Sequence, residues 1–578
     1  MSNPRFFPFF RLCAILLLSG LVLTQAFGQS KKKKGDQPNE QDKIKATYAF
    51  FDGQKEKLTG NDARAAEQFS QCIRLDPGNH AAMYELASIY SSGGRISDAL
   101  FLIKQAIDLE PKNEWYTLLQ ADILERSGKY NEAVEVYRKL YQRNPGKVEY
   151  LFSEADVLLM QGKLAEAIKA YDRIEAIIGV SQEMSQQKQR LYLKMGKTEE
   201  AALELEKLIR SEPNNLEYHS MLVELWQVNE RPQKAMEVIR RMQAIDPESP
   251  NVYLCLAEQY RMEGRREESY QNLKKAFGSP ALPSEVKIRI LTSYLPLVSG
   301  NTDMMQQSLE LGGVLAETHP NEALAQTVYG DFLYIDKQFS PAREQYRKGL
   351  GIDKRNLQAW QQLLLTESEL KDYASMAREA EEALGYFSDQ AALYLFAGIG
   401  LQQQEDFTAA ATKYISGSKL VVDNDALLVD FYSNIADCYD KLKRFADSDT
   451  YFQKALNLDK DNVFVLNNWA YYLSLRNEQL EKAAEMSKRS NVLSPGNPSF
   501  EDTYGWILFM QGDVTGALDW ISKAIASGGN SSGTVLEHYG DALYRAGRAE
   551  EALRYWQQAR DAGEYSDQLE RKLREKKL

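Results

Sequence analysis

A proline returns at a spacing of 34 residues, or a multiple of it, through the first half of this 578-residue chain. The positions are Pro77, Pro111, Pro145, Pro213 and Pro247, and Gly179 occupies the one slot that lacks a proline. A fixed period of this length indicates a chain built from stacked copies of one small unit. Because a 34-residue unit cannot bury its own apolar surface, each copy must pack on the next. The period therefore predicts a repeat array and not a single globular core.

Other residue types keep step with these prolines. A small residue comes 24 residues before each mark, and a turn glycine comes 17 before it. The small slot holds Gly53, Ala87, Ala121, Ala155 and Ala257, with Gln189 and Val223 as departures, and the turn slot holds Gly60, Gly94, Gly128, Gly162, Gly196 and Gly264, with one lapse at Glu230. Between the turns, apolar residues recur at i, i+3, i+4 and i+7, the spacing of an amphipathic helix. Each unit is therefore predicted to be two helices that cross at small residues.

This pattern resembles the tetratricopeptide repeat (TPR) family. Similar units in the second half of the chain are carried by Tyr329–Leu333, Ala397–Gly398, Trp469–Ala470, Tyr504–Trp506 and Tyr539–Asp541. The resemblance implies an all-α fold, a TPR solenoid that forms a right-handed superhelix of about 15 helix-turn-helix repeats. It also implies a concave groove, lined by the first helix of each repeat, that holds a peptide or a helix of a partner protein.

The sequence divides into seven predicted segments. They are a signal peptide (1–28), a flexible Lys-rich leader (29–43), an N-terminal array of seven repeats (44–281), a diverged repeat or junction (282–322), middle repeats (323–422), C-terminal repeats (423–563) and a C-terminal capping helix (564–578). The repeat register slips in the diverged segment. The charged last segment is what a repeat array needs to cover its open apolar end.

The N-terminus has the three parts of a secretory signal. Arg5 and Arg11 precede an apolar run at 12–23, and small residues at Ala26 and Gly28 precede a cleavage point before Gln29. Twelve apolar residues span about 18 Å as a helix, too little for a hydrocarbon core of about 30 Å. The chain is therefore predicted to be exported, to the periplasm or the periplasmic face of the outer membrane. The lysine run at 31–34 counts against export, and it allows at most peripheral contact with anionic lipid.

The residues that carry chemistry are few and dispersed. A net charge of −12 gives no cationic footprint for nucleic acid. The histidines (His80, His219, His319 and His538) and the cysteines of the array (Cys72, Cys255 and Cys438) lie in different repeats, so no metal site, cofactor site or disulfide is predicted. A Gly-x-Ser-x-Gly string at Gly529–Gly533 follows a helical segment and no strand, so it is interpreted as a loop between repeats. No catalytic residue is predicted.

The candidate binding residues follow the small slot directly and share one face of each first helix. Seven of the fifteen residues in this register are acidic and one is basic. The predicted partner-binding residues are Asp122, Asp156, Glu224, Glu258, Asp331, Asp437, Tyr471, Trp506 and Asp541. A groove of negative potential favours cationic or amide-rich segments. Two alternatives remain open: the acids form an ordinary solvated face, and the aromatic residues pack between repeats.

The functional hypothesis is an exported, non-enzymatic scaffold or adaptor that binds protein partners along an acidic groove. The first alternative is a self-assembling homo-oligomer. The second is the binding module of an envelope enzyme, which is disfavoured because the repeats leave no segment of about 100 residues to hold chemistry.

Overall fold

The structure is a computed structural model that describes residues 39–563 and 565–578. The predicted signal peptide and residues 29–38 of the leader lie outside the described residues. Within the described part of the chain, every regular element is helical. The helices are α1 Glu40–Leu58, α2 Asp62–Leu75, α3 His80–Ser92, α4 Ile96–Leu109, α5 Glu114–Arg126, α6 Tyr130–Arg143, α7 Glu149–Met160, α8 Leu164–Ile178, α9 Gln182–Lys194, α10 Thr198–Ser211, α11 Leu216–Val228, α12 Pro232–Ile245, α13 Pro250–Met262, α14 Arg266–Gly278, α15 Ser284–Tyr294, α16 Thr302–Thr318, α17 Ala323–Ile335, α18 Phe339–Ile352, α19 Leu357–Glu369, α20 Tyr373–Leu384, α21 Ala391–Gln403, α22 Phe407–Ser418, α23 Asp425–Lys441, α24 Phe445–Leu458, α25 Val463–Leu475, α26 Leu480–Leu493, α27 Pro498–Gln511, α28 Val514–Ala526, α29 Gly533–Arg545, α30 Ala549–Ala562 and α31 Leu569–Glu575.

Helices α1 to α30 follow one another in the described residues as fifteen successive helix-turn-helix repeats in the order of the chain, and α31 comes after the last of them. This confirms the predicted all-α repeat fold. The chain divides into two compact units between Leu225 and Trp226, within α11. We call residues up to Leu225 unit 1 and residues from Trp226 unit 2. The predicted seven-segment division places no boundary at this point and stays a prediction.

The first helix begins earlier than the predicted array. Asn39 is its N-cap, and the Asn39 side chain accepts a hydrogen bond from the Asp42 amide at 2.8 Å. Such a cap satisfies one of the free amides at a helix start. Residues 40–43, assigned to the flexible leader by the sequence, are therefore the first turn of α1.

The turn inside each pair needs one residue in the left-handed region. Gly60, Gly94, Gly128, Gly162, Gly196 and Gly264 all have φ between 71° and 77°. Glu230, where the glycine pattern lapses, still has φ 56°. Further along unit 2, the same turn is made by Lys337, Lys371, Glu405, Lys443 and Asn477, again with positive φ, before glycine returns at Gly512 and Gly547. The turn geometry is therefore kept where the glycine is lost.

The two helices of a pair approach closely because the small slot leaves room for a large side chain. A Cβ on Gly53 would lie 2.8 Å from the Phe69 ring, and a Cβ on Gly398 would lie 2.3 Å from the Tyr414 ring. The Phe69 and Tyr414 side chains are fully buried. The small residue and the large one are 16 positions apart in both pairs. The crossing point predicted from the sequence is thus a close contact between the two helices of these pairs.

The diverged segment is also a helix pair, formed by α15 and α16. A short 3₁₀ turn at Leu295–Leu297 follows α15. Gly312 of α16 lies under the Tyr329 ring of the next pair, where a Cβ would come within 2.8 Å of the ring. Leu311 and Leu315 of α16 belong to the same apolar cluster as Phe277 of α14. The array therefore continues through this segment with a changed register.

None of the described helices is both long and apolar enough to cross a membrane.

Replacing Gly398 with Ala is expected to destabilise unit 2 by about 1–3 kcal/mol, because the new methyl group overlaps a buried ring. Thermal and urea unfolding, followed by circular dichroism, measure the change. The control is Gly351→Ala near the end of α18, where a Cβ meets nothing within 4 Å. That change is expected to be neutral or to stabilise by up to about 1 kcal/mol. Equal effects of the two variants would contradict the close-crossing argument.

Candidate protein-docking face

The predicted binding residues lie on the first helix of each pair. We call the outward side of these odd-numbered helices the first-helix face. In unit 1, Asp156 and Glu224 are exposed, and Asp122 is half-exposed. Asp122 is paired with Arg126 at 2.9 Å, one turn further along α5. Unit 1 therefore presents three of the predicted acids to solvent.

Large apolar side chains flank these acids. Phe152 and Met160 lie one turn before and one turn after Asp156 on α7, and Met160 is 63% exposed. Trp115 lies two turns before Asp122 on α5 and is 64% exposed. Partial burial raises the pKa of Asp156 above its usual value. The first-helix face of unit 1 therefore alternates negative charge with exposed apolar surface.

In unit 2, Glu258 lies at the edge of a cleft of about 1090 Å³ formed where the diverged pair begins. Arg261 donates two hydrogen bonds to Glu258, at 2.6 and 2.7 Å. The cleft is also lined by Tyr270, Tyr294, Leu297 and Met304. Glu258 is therefore compensated by its own helix, and it contributes less net negative potential than the sequence pattern indicates.

Asp331 accepts a hydrogen bond from the Tyr346 hydroxyl at 2.8 Å. Burial raises the pKa of Asp331 to about 6, and this hydrogen bond opposes the rise. An aromatic donor on a second helix contacts a first-helix acid in other pairs too, as with the Tyr137 hydroxyl and Glu125 at 2.7 Å. Some acids in the predicted register therefore join the two helices of a pair.

Asp437 is held more deeply. Burial raises its pKa to about 7, while a hydrogen bond from Tyr472 favours the ionised form. The Oδ1 atom of Asp437 has no hydrogen-bond partner in the described structure. Asp440, one turn further along α23, also has a pKa raised by burial. Neither carboxylate lies on an open solvated face.

The structure contradicts the placement of Asp541 on an accessible groove. Asp541 is 2% exposed, and it accepts hydrogen bonds from Trp556 Nε1 at 2.8 Å and Lys572 Nζ at 2.6 Å. Lys572 also contacts Glu537, at 2.7 Å. Lys572 belongs to α31, so the C-terminal helix covers this acid. The repeat register predicts the face of the helix correctly, but it carries no information about a segment that packs over the face.

The aromatic residues of the C-terminal pairs pack on one another. The Trp506 ring stacks on His538 with centroids 4.0 Å apart, and Tyr471 lies 6.5 Å from the same imidazole. His538 is buried and contacts Asp502 at 2.9 Å. Burial alone would lower the pKa of His538, but the neighbouring Asp502 carboxylate raises it above its usual value. Tyr471 and Trp506 are half-buried in this contact between pairs, which leaves each ring a partial surface for a partner.

Trp469 and Phe509, which the sequence places beside these rings, are buried. Trp469 Nε1 donates to Asp449 at 2.7 Å.

The Gly-x-Ser-x-Gly string forms a 3₁₀ turn at Gly529–Ser531, which connects α28 to α29. Within the described residues no group of three potential ligands gathers around a metal position. Cys72 and Cys438 are buried free thiols, and burial raises the pKa of Cys72 to about 11.

Family models described as tetratricopeptide repeat match four stretches of the chain. The matched residues are 60–123, 118–179, 190–250 and 429–462. These stretches of the chain are therefore tetratricopeptide repeats. The prediction made from the 34-residue period is thereby confirmed.

A curated relative of this TPR chain is the type IV pilus assembly protein PilF of Pseudomonas aeruginosa. The two are 26% identical over 169 residues, which is 29% of this chain and 66% of PilF. The match therefore spans just under two thirds of that protein.

Solved structures with a similar arrangement include the APC/C heterotetramer Cut9–Hcn1, with a TM-score of 0.32, 13% identity and coverage of 92% of this chain and 96% of that one. Yeast Tom70 has a TM-score of 0.28, 14% identity and coverage of 78% and 95%. A tetratricopeptide repeat protein from Parabacteroides merdae has a TM-score of 0.26, 19% identity and coverage of 40% and 92%. Likenesses at this level carry no information about partners.

Replacing Asp437 with Asn is expected to raise the melting temperature at pH 8 by roughly 2 °C, because the buried ionised carboxylate is removed. The folded pKa is raised from 3.8 to about 7, so the folded state binds the proton more tightly than the unfolded chain. The wild-type protein should therefore gain stability as the pH falls from 7 towards 4, and the advantage of the variant should shrink over that range. Melting curves at several pH values measure this.

The control for this experiment is Asp425→Asn, at an exposed position in the first turn of the same helix. It is expected to give no gain at pH 8, because no buried charge is removed. A gain of equal size in both variants would contradict the burial argument.

Proposed function

We propose that this TPR protein is an interaction scaffold that binds a basic, amphipathic segment of a protein partner on the first-helix face of unit 1. The TPR architecture supports a scaffold for protein–protein interaction. The main support for the proposed partner is the alternation of apolar and acidic side chains on α7. The exposed Asp156 lies between Phe152 and Met160 on one side of this helix. Apolar side chains contribute most of the affinity of such an interface, and charge contributes orientation and specificity.

The negative charge of the first-helix face in unit 1 is the second observation that supports the proposed partner. Asp122, Asp156 and Glu224 all lie at this register in unit 1, where Arg190 is the one basic residue. A segment with lysine or arginine at helical spacing, separated by leucine-like side chains, complements both components of the face. The proposed partner residues are therefore Asp122, Asp156 and Glu224, with Phe152, Met160 and Trp115 as apolar anchors. Unit 2 is proposed to supply weaker contacts, because its candidate residues are ion-paired or partly buried. These residues are Glu258, Asp331, Asp437, Tyr471 and Trp506.

We further propose that the protein is exported and works in the periplasm or at the periplasmic face of the outer membrane. The signal-like N-terminus supports this. The similarity to PilF, a type IV pilus assembly protein, is consistent with a role in the bacterial envelope.

The triple substitution of Asp122, Asp156 and Glu224 by Lys is expected to weaken binding of a fluorescent Lys/Leu amphipathic peptide by about tenfold or more. Fluorescence anisotropy measures the dissociation constant, and wild-type affinity should fall as salt is added. The same variant should recover less of the native partner set from envelope extract.

The matched control reverses three exposed acids on second helices of unit 1, which are Asp108, Glu132 and Glu166. The net charge change is the same, so equal losses in the two variants would show a general charge effect and refute the docking face. A peptide with Glu in place of Lys should not bind the wild-type chain. Circular dichroism verifies that both variants keep their helices.

Expression in a bacterial host is expected to give a periplasmic protein that begins at Gln29. Cell fractionation and N-terminal mass spectrometry measure both features. Replacing Leu16 and Leu17 with Arg interrupts the apolar run and should retain the chain in the cytoplasm. A periplasmic product of the interrupted variant, or a wild-type product that retains Met1, would contradict the proposal.

A further inference from the structure

The first helix of the array exposes an apolar stripe. Ile44, Tyr48, Phe51 and Leu58 are 53%, 69%, 65% and 87% exposed. Together with Lys55 they are spaced by four, three, four and three residues, which places all five on one side of α1. Alternating steps of four and three residues are the spacing of a seam between two packed helices. We call these five residues the α1 stripe.

The stripe includes a position that every following repeat of unit 1 buries. Steps of 34 residues from Tyr48 lead to Ala82, Tyr116, Tyr150, Met184 and Tyr218, all 8% exposed or less. The preceding pair covers them: the Tyr116 hydroxyl contacts His80 Nδ1 at 2.7 Å, and the Tyr150 hydroxyl donates to Glu114 at 3.0 Å. Within the described residues, Tyr48 of the α1 stripe is therefore exposed at a position that the preceding pair covers in the later repeats of unit 1.

The residues just before α1 are unsuited to cover it. Residues 29–38 read Gln-Ser-Lys-Lys-Lys-Lys-Gly-Asp-Gln-Pro and contain no large apolar side chain. In a chain that begins at Gln29, which rests on the export proposed above, residues 29–38 therefore supply no apolar cover for the α1 stripe.

The other end of the array is closed. Leu569 of α31 is fully buried in a cluster with Leu536 and Trp556, and Lys572 is bound to Glu537 and Asp541. A head-to-tail contact, in which the α1 stripe of one copy packs on the C-terminal end of another, would have to displace this helix. An isologous contact, in which the same surface is used by both copies, needs no displacement.

We propose that the chain forms a two-fold dimer in which the α1 stripes of two copies pack against each other in antiparallel orientation. An antiparallel pair brings the acidic first turn of one helix, with Glu40 and Asp42, towards the basic last turn of the other. A parallel pair would bring like charges together. Centring the pair midway between Tyr48 and Phe51 sets the Tyr48 ring of each copy against the Phe51 ring of the other, and it brings Asp42 level with Lys57 of the other copy.

Sedimentation equilibrium of the chain that begins at Gln29 tests the proposal. At micromolar concentration the mass should be twice that of one chain. Replacing Phe51 with Glu places two negative charges at the centre of the seam and should raise the dissociation constant by about a hundredfold. The matched control is Phe101→Glu on α4, a phenylalanine that is 63% exposed in the same unit. That control should remain dimeric, and circular dichroism should show equal helicity for both variants.

A cysteine scan tests the orientation. Under mild oxidation, a mixture of the Tyr48→Cys chain and the Phe51→Cys chain should give a disulfide-linked dimer, because Tyr48 of one copy faces Phe51 of the other. Leu58→Cys should not, because in an antiparallel pair the two copies of that residue lie about 26 Å apart along the helices. The background chain carries Cys255→Ser, because Cys255 is half-exposed whereas Cys72 and Cys438 are buried.

Three outcomes would overturn the proposal. They are a monomer at every concentration, a dimer that Phe51→Glu leaves intact, and a monomer whose binding to anionic vesicles depends on Phe51, which would identify lipid as the occupant. Binding of the Lys/Leu peptide to the α5, α7 and α11 surface is measured separately, so failure of the dimer and failure of the docking face are distinguishable.

Discussion

The architecture depends on the close crossing of the two helices in each pair. Where Gly53, Gly398 and Gly540 occupy the crossing, a Cβ would come within 2.3–2.8 Å of the opposite ring. The opposite side chains are among the most completely buried in the described chain, with Trp556 and Tyr414 at 0% exposure. This contact fixes the angle between the helices of a pair. The outward face of each first helix, and therefore the docking face, takes its position from it.

The fold could be predicted from the sequence because two structural needs recur every 34 residues. The helix crossing requires a small residue, and the turn between the helices favours glycine. The glycine pattern did not mark every turn, because some turns keep a left-handed backbone although the residue there is not glycine. Glu230, Lys337 and Lys371 occupy the left-handed turn position in place of glycine. The face that carries the candidate site was also predictable, because helical spacing alone determines which residues share it. Which acids are accessible was not predictable, since that depends on contacts that the repeat pattern does not encode, such as the hydrogen bond from the Tyr346 hydroxyl to Asp331 and the packing of Lys572 of α31 on Asp541.

The burial of charged side chains was also not predictable from the sequence. Lys188 is fully buried on α9, where it contacts Asp172 at 2.7 Å and Glu204 at 2.9 Å. One repeat earlier, Glu154 is buried between Arg138 and Arg173. Removing one member of such a group leaves an uncompensated charge and costs about 3–5 kcal/mol. Both residues interrupt the apolar pattern of their helices, and composition gives no sign that their partners on neighbouring helices neutralise them.

The turn residues of unit 2 have a consequence for the evolution of the array. A side chain other than glycine in the left-handed region costs roughly 1–2 kcal/mol. Six turns of unit 2 carry this strain, at Glu230, Lys337, Lys371, Glu405, Lys443 and Asn477, whereas the turns inside the described pairs of unit 1 are made by glycine. Unit 2 therefore holds a reserve of single-residue changes that would strengthen it without touching any exposed binding surface. A lineage that moved to a hotter habitat would have these six positions open to adaptation.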